Sequence, residues 1–178
     1  TPYNLNDVNI TLNPDNIELL HMACHNSRHN RFGGRIKAYQ RKVYYVYGAP
    51  CSGKSTYVQD NMQAGDLVFD IDKVWEALSG QPEYIKPATL KDVVFNVRNA
   101  VYDSIKTRAG LWQNAYVIEG GALLGDRTRR LETLGAEPIY IDTSKDECIN
   151  RLISDDSRAE VQDQWIKYIN KWFDDYQE

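Results

Sequence analysis

The chain is poor in several things, and each scarcity excludes something. Three cysteines in 178 residues (Cys24, Cys51, Cys148) make no disulfide framework and suit a reducing cytoplasm. No apolar run approaches the length needed to cross a bilayer, and no signal-peptide pattern opens the chain. The first residue is Thr rather than Met, which leaves room for an upstream piece. There is no overall excess of positive charge: the net charge is −4 and the pI about 5.4, so no global field draws the chain to nucleic acid. The deficit is uneven. Residues 1–42 carry +3, which leaves −7 on 43–178, and all three histidines (His21, His25, His29) lie in the first part. The break near residue 42 predicts an N-terminal appendage, 1–42, followed by one domain of ordinary size, 43–178.

What is present is concentrated at 43–57. Val43 to Tyr47 is a β-branched and aromatic run and reads as a buried strand. It ends at Gly48, where the pattern G-x-x-x-x-G-K-S begins: Gly48, Ala49, Pro50, Cys51, Ser52, Gly53, Lys54, Ser55. A stretch free of helix breakers follows from Thr56 to Met62. Strand, glycine-rich turn and helix together make a phosphate-binding P-loop. The glycines permit backbone angles closed to residues with a Cβ, so that successive N–H groups converge on one phosphate. A helix opening at about Lys54 adds its positive dipole end. Lys54 supplies a point charge for the β- and γ-phosphates, and the Ser55 hydroxyl is placed to ligate Mg²⁺. The expected ligand is ATP or GTP, held by 48–56.

The rest of 43–178 alternates strands with helices. Strands are expected at 66–72, 114–119 and 138–142. Helices are expected at 73–79, 88–109, from Asp126 or Thr128 to Gly135, from a cap at Thr143 or Ser144 to about Ile153, and at 160–176. Such alternation gives a parallel sheet with right-handed crossovers, whose ligands bind at the carboxyl ends of the strands. The expected fold is an α/β P-loop NTPase, and the resemblance to kinases of that fold, carried by the residues that follow, implies three layers of nucleotide-kinase type with four to five strands in the order 2-3-1-4. The acids at strand ends are Asp70, Asp72, Glu119 and Asp142.

From Val43 onward the chain resembles P-loop kinases, most closely the polynucleotide-kinase-like branch seen in bacteriophages. That branch ends its second strand with an N-x-D-D type of sequence carrying a catalytic Asp. The matching stretch, Phe69-Asp70-Ile71-Asp72-Lys73, puts Asp72 on the general-base position. A carboxylate there orients an acceptor hydroxyl and takes its proton. Asp70, read on the same strand face at period two, is the alternative base or a support for Mg²⁺. The resemblance likens Glu119, at the end of an apolar strand and before Gly120-Gly121, to the acid that holds Mg²⁺ through water, although the family more often has Asp or a small polar residue. It implies lid arginines over the nucleotide: Arg158 first and Arg151 second, either side of 153–157. Arg127, Arg129 and Arg130 are further cations after strand three. Trp165 and Trp172 read as core by their helical spacing, while Trp75 is placed to line the acceptor site.

Residues 13–29 resemble the C-terminal half of an HNH endonuclease motif. Asn16 matches its central Asn, His25 or His29 its final metal-binding His, and His21-x-x-Cys24 a zinc pair. The general-base His and the first Cys pair are absent, so a closed zinc site requires an upstream half, and this chain is not expected to be a competent nuclease. Residues 28–42 form a basic segment with Phe32 and Tyr39 interleaved and Gly33-Gly34 as a flexible point.

Taken together, these features imply an ATP-dependent phosphotransferase acting on a nucleic-acid 5′-hydroxyl in the cytoplasm, the host's if the chain is phage-encoded. The alternatives are a kinase with a small nucleotide acceptor, or an ATPase module governing an attached nuclease.

Overall fold

A computed structural model describes residues 41–82 and 84–178. Within these the elements run β1 (Lys42–Tyr47), α1 (Lys54–Asn61), β2 (Leu67–Asp70), α2 (Ile71–Ser79), α3 (Lys91–Lys106), β3 (Asn114–Glu119), α4 (Leu124–Leu134), β4 (Glu137–Tyr140), α5 (Lys145–Ile153) and α6 (Gln162–Asp175). Short 3-10 turns at Ala88–Leu90 and Asp156–Val161 lead into α3 and α6. The four strands pair in parallel in the order β2-β3-β1-β4. This is the expected three-layer P-loop NTPase architecture of nucleotide-kinase type, with four strands and the expected order.

Strand β1 is covered on both faces, which is why its apolar run is nearly continuous. Its odd positions, Val43 and Tyr45, join Phe69, Ala115 and Val117 in a core closed by Tyr102 and Ile105 of α3 and Leu134 of α4. Its even positions face α1: Val46 packs with Tyr116, Ile118 and Val58. A third cluster, Ala49, Cys148, Leu152, Ile169 and Trp172, binds α5 and α6 to the start of the P-loop. Trp172 is therefore core, as its spacing predicts, and Trp165 packs partly buried against the same cluster.

The structure corrects several boundaries. The second strand stops at Asp70 rather than running to Asp72, because the Asp70 carboxylate accepts a hydrogen bond from the Asp72 N–H at 2.9 Å and caps α2. Asp70 and Asp72 therefore do not share a strand face. The long helix starts at Lys91, after Pro87 and the 3-10 turn, and ends at Lys106. Arg108 then takes a left-handed φ of 55°. The cap at Ser144 is as expected, its hydroxyl accepting from the Glu147 N–H at 3.3 Å. The appendage, with its histidines, Cys24 and most of the basic segment, lies outside the described residues. Of that segment, Lys42 opens β1, and Arg41 lays its guanidinium over Trp112 and donates to the Arg108 carbonyl. Among the described residues no helix is long and apolar enough to cross a membrane.

Candidate active site

The P-loop follows β1 at the carboxyl edge of the sheet. Gly48 has φ 155° and donates its N–H to the Gly120 carbonyl at 3.2 Å. A Cβ there would stand 2.8 Å from the Ile141 carbonyl oxygen and 3.0 Å from Ser52 Oγ. Gly53 takes φ 100° directly before α1. The loop therefore requires glycine at both expected positions. Cys51 bears a left-handed φ of 62° between them. Helix α1 begins without a side-chain cap and without an acid in its first turn, so its leading N–H groups, at Lys54, Ser55 and Thr56, suit an anion. Ser52 is buried, and its Oγ has no hydrogen-bond partner. A glycine cradle, an orphaned buried hydroxyl and an uncapped helix start together fit a polyphosphate.

Lys54 folds back over the loop. Its Nζ donates to the Gly48 carbonyl at 3.0 Å and the Ala49 carbonyl at 2.6 Å. Burial pushes its pKa down to about 8, opposed chiefly by the charge of Asp70 and more weakly by Cys51, Cys148 and Asp72. The lysine is thus a desolvated cation whose charged form a phosphate would restore.

Both expected lid arginines reach this loop. Arg151 Nη1 donates to the Ser52 carbonyl at 2.9 Å while its Nε pairs with Glu147 at 2.8 Å. Thr143 Oγ1 donates to the same carbonyl at 2.9 Å. Arg158 Nη1 lies 3.3 Å from Cys51 Sγ, its Nε 3.1 Å from Asp155, and its guanidinium 4.7 Å from the centre of the Trp165 ring.

On the other side of the site, Asp72 stands in the first turn of α2 and pairs with Lys86 Nζ at 2.6 Å. Lys86 comes from the loop between α2 and the 3-10 turn before α3. Sequence reasoning missed it, since nothing in its local spacing marks it. Trp75, one turn further along α2, is buried.

Glu119, the expected Mg²⁺ support, is placed among hydroxyl and guanidinium donors. In β3 it alternates onto the face of Ala115 and Val117, opposite α1, where its oxygens accept from Tyr45 (2.8 Å), Tyr102 and Arg130 (3.4 Å). Burial, and then the Glu119 charge, raise both tyrosine pKa values well above the ordinary value of 10.0. A tyrosine count on this face would have flagged the partners. Arg127 is buried and ties the Gly121 and Gln177 carbonyls, each at 2.6 Å, which fixes the C-terminal segment on the loop after β3. Arg129 pairs with Asp126 on the surface. Among the described residues no group of three or more His, Cys, Asp or Glu could hold a metal.

No family model matches the chain, and no curated protein matches it. Among solved structures, it resembles a chain of the Pnkp1/Rnl/Hen1 RNA repair complex, with a TM-score of 0.53 and 13% sequence identity. The match covers 77% of this chain and 46% of that one, so this chain spans less than half the length of its structural neighbour. At that identity the likeness is one of fold.

Proposed function

We propose that the chain is a nucleotide-triphosphate-dependent phosphotransferase whose acceptor is the 5′-hydroxyl of a nucleic acid. The observation that carries this reading is the arrangement on either side of Lys54. In the sheet, β4, which leads to Arg151 and Arg158, borders β1 on one side, and β2, which leads to the paired carboxylate Asp72, lies beyond β3 on the other, with Asp70 and Asp72 both acting on the Lys54 charge. A carboxylate in that position can orient an acceptor hydroxyl and take its proton. That the structural neighbour belongs to an RNA repair complex supports a nucleic-acid acceptor.

In this reading the backbone of 48–56 and Lys54 hold the β- and γ-phosphates of ATP or GTP. Asp72 orients the acceptor hydroxyl in line with the γ-phosphorus. A bond forms from that oxygen to phosphorus, the bond to the β-bridging oxygen breaks, and the hydroxyl proton passes to Asp72. Arg151 and Arg158 stand where charge spreads over the transferring group. Mg²⁺, when bound, would neutralise the phosphate oxygens, with the Ser55 hydroxyl as its protein ligand and Asp70 as a support through water.

The test is transfer from γ-labelled ATP to a panel of acceptors: 5′-hydroxyl DNA and RNA oligonucleotides, nucleosides and nucleoside monophosphates. Oligonucleotides are expected to take the label. Labelling of the monophosphates alone would make the acceptor a small nucleotide and overturn the proposal.

A further inference from the structure

One stripe of α3 alternates cations with rings. Lys91, Phe95, Arg98 and Tyr102 are spaced four, three and four residues apart, which sets them along one helix face. Lys91 Nζ lies 5.8 Å from the centre of the Phe95 ring. The Arg98 guanidinium lies 4.6 Å from that ring and 6.0 Å from the ring of Tyr102. From α4, Arg130 covers the Tyr102 ring at 4.6 Å.

The stripe points at the reaction site. The C-terminal end of α3 leads into the start of β3, so its N-terminal half rises toward the carboxyl edge of the parallel sheet. The Tyr102 hydroxyl reaches Glu119, the last residue of β3. Its ring meets Phe69 edge-on at 5.1 Å, one residue before Asp70. The loop that carries Lys86 to Asp72 leads into Lys91.

The charges of the stripe are uncommitted. Among the described residues neither Lys91 nor Arg98 has an ion-pair partner, and Arg98 bonds only the amide oxygen of its neighbour Asn99, at 3.1 and 3.2 Å. Arg130, by contrast, is paired with Glu119, which also accepts from two tyrosine hydroxyls, so its charge is already met. The acids of α3, Asp92 and Asp103, fall on the adjacent stripe. Cations without ion-pair partners beside the half-buried Phe95 ring match a strand whose phosphates and unstacked bases alternate.

We infer that Lys91, Phe95 and Arg98 form a track for single-stranded nucleic acid, which holds the nucleotides behind the 5′ end presented to Asp72. Lys91 and Arg98 neutralise phosphates, and Phe95 takes a base. The inference deepens the phosphotransferase reading and rests on it for what happens at the strand's end.

Binding is measured apart from transfer. Fluorescence anisotropy of a 3′-labelled 5′-hydroxyl single strand, with a non-hydrolysable ATP analogue and the full chain, is followed across salt concentrations. Lys91→Ala/Arg98→Ala is expected to weaken binding about tenfold and to reduce the salt slope by about 1.4, the value for two phosphate contacts on a single strand. Lys91→Gln/Arg98→Gln repeats the test with most of each aliphatic stem kept and the charge removed, and Lys171→Ala on α6 is expected to change nothing. The inference is overturned if both double variants bind with the wild-type affinity and slope, or if the wild-type chain binds no single strand. A wild-type chain that binds the strand through these residues yet transfers no phosphate keeps the track and removes the kinase reading.

Discussion

Lys86 Nζ and Asp72 Oδ1 lie 2.6 Å apart, so the carboxylate across from the P-loop is met by a cation from a loop that holds prolines at 82 and 87. Both side chains are about a third exposed, which limits the pair to a surface-like contribution of under about 1 kcal/mol. Lys86→Ala should therefore lower kcat/KM for the acceptor about two- to fivefold. Nucleotide affinity, read by calorimetry, should stay at the wild-type value, because among the described residues no hydrogen bond or ion pair joins Lys86 to 48–56.

Lys54 sets the pH dependence of nucleotide binding. Its pKa in the ligand-free site is lowered to about 8, and a polyphosphate favours the charged lysine. Above that pH, binding must take up a proton, and affinity should fall by about tenfold per pH unit. Calorimetry near pH 9 in buffers of different ionisation enthalpy should register uptake approaching one proton. Lys54→Met should remove the uptake and most of the affinity.

The tyrosines on Glu119 give stability a pH dependence of its own. Tyr45 and Tyr102 titrate above the ordinary value of 10.0 when folded, chiefly because they are buried. A raised folded pKa contributes stability that is fully present below the unfolded value and is lost as pH rises beyond it. Urea unfolding should therefore show stability declining above about pH 10, and less steeply in Tyr45→Phe/Tyr102→Phe. At neutral pH, Tyr102→Phe leaves a part-buried carboxylate short of a donor and should cost about 1–3 kcal/mol.

Gly48 tests the loop itself. An added Cβ would press on the Ile141 backbone at 2.8 Å, in a conformation that side chains rarely adopt. Gly48→Ala should cost about 1–3 kcal/mol in thermal unfolding and weaken nucleotide binding at least about tenfold. Gly65→Ala, with nothing within 4 Å of the added carbon, should leave binding unchanged and carry only the strain of its φ of 95°.

These residues also mark how far local sequence could be read. The P-loop was legible because three signals agree over fifteen residues: a β-branched run, two glycines at fixed spacing, and a helix without breakers. The end of β2 was not, because Ile71 continues an apolar alternation that the Asp70 cap interrupts only in three dimensions. Glu119 was placed correctly at the end of its strand, yet its face follows from parity: it alternates with Val117, away from α1. Lys86 had no local signal at all, since the path of a proline-flanked loop is set by what it packs against.

The central claim is that Asp72 serves the acceptor and Lys54 the donor. Single-turnover transfer from ATP to a 5′-hydroxyl oligonucleotide, with nucleotide affinity measured in parallel, separates the two roles. Asp72→Asn should slow transfer about 10²- to 10⁴-fold with nucleotide affinity unchanged, while Lys54→Ala should lose both. Transfer by Asp72→Asn at the wild-type rate would contradict the account.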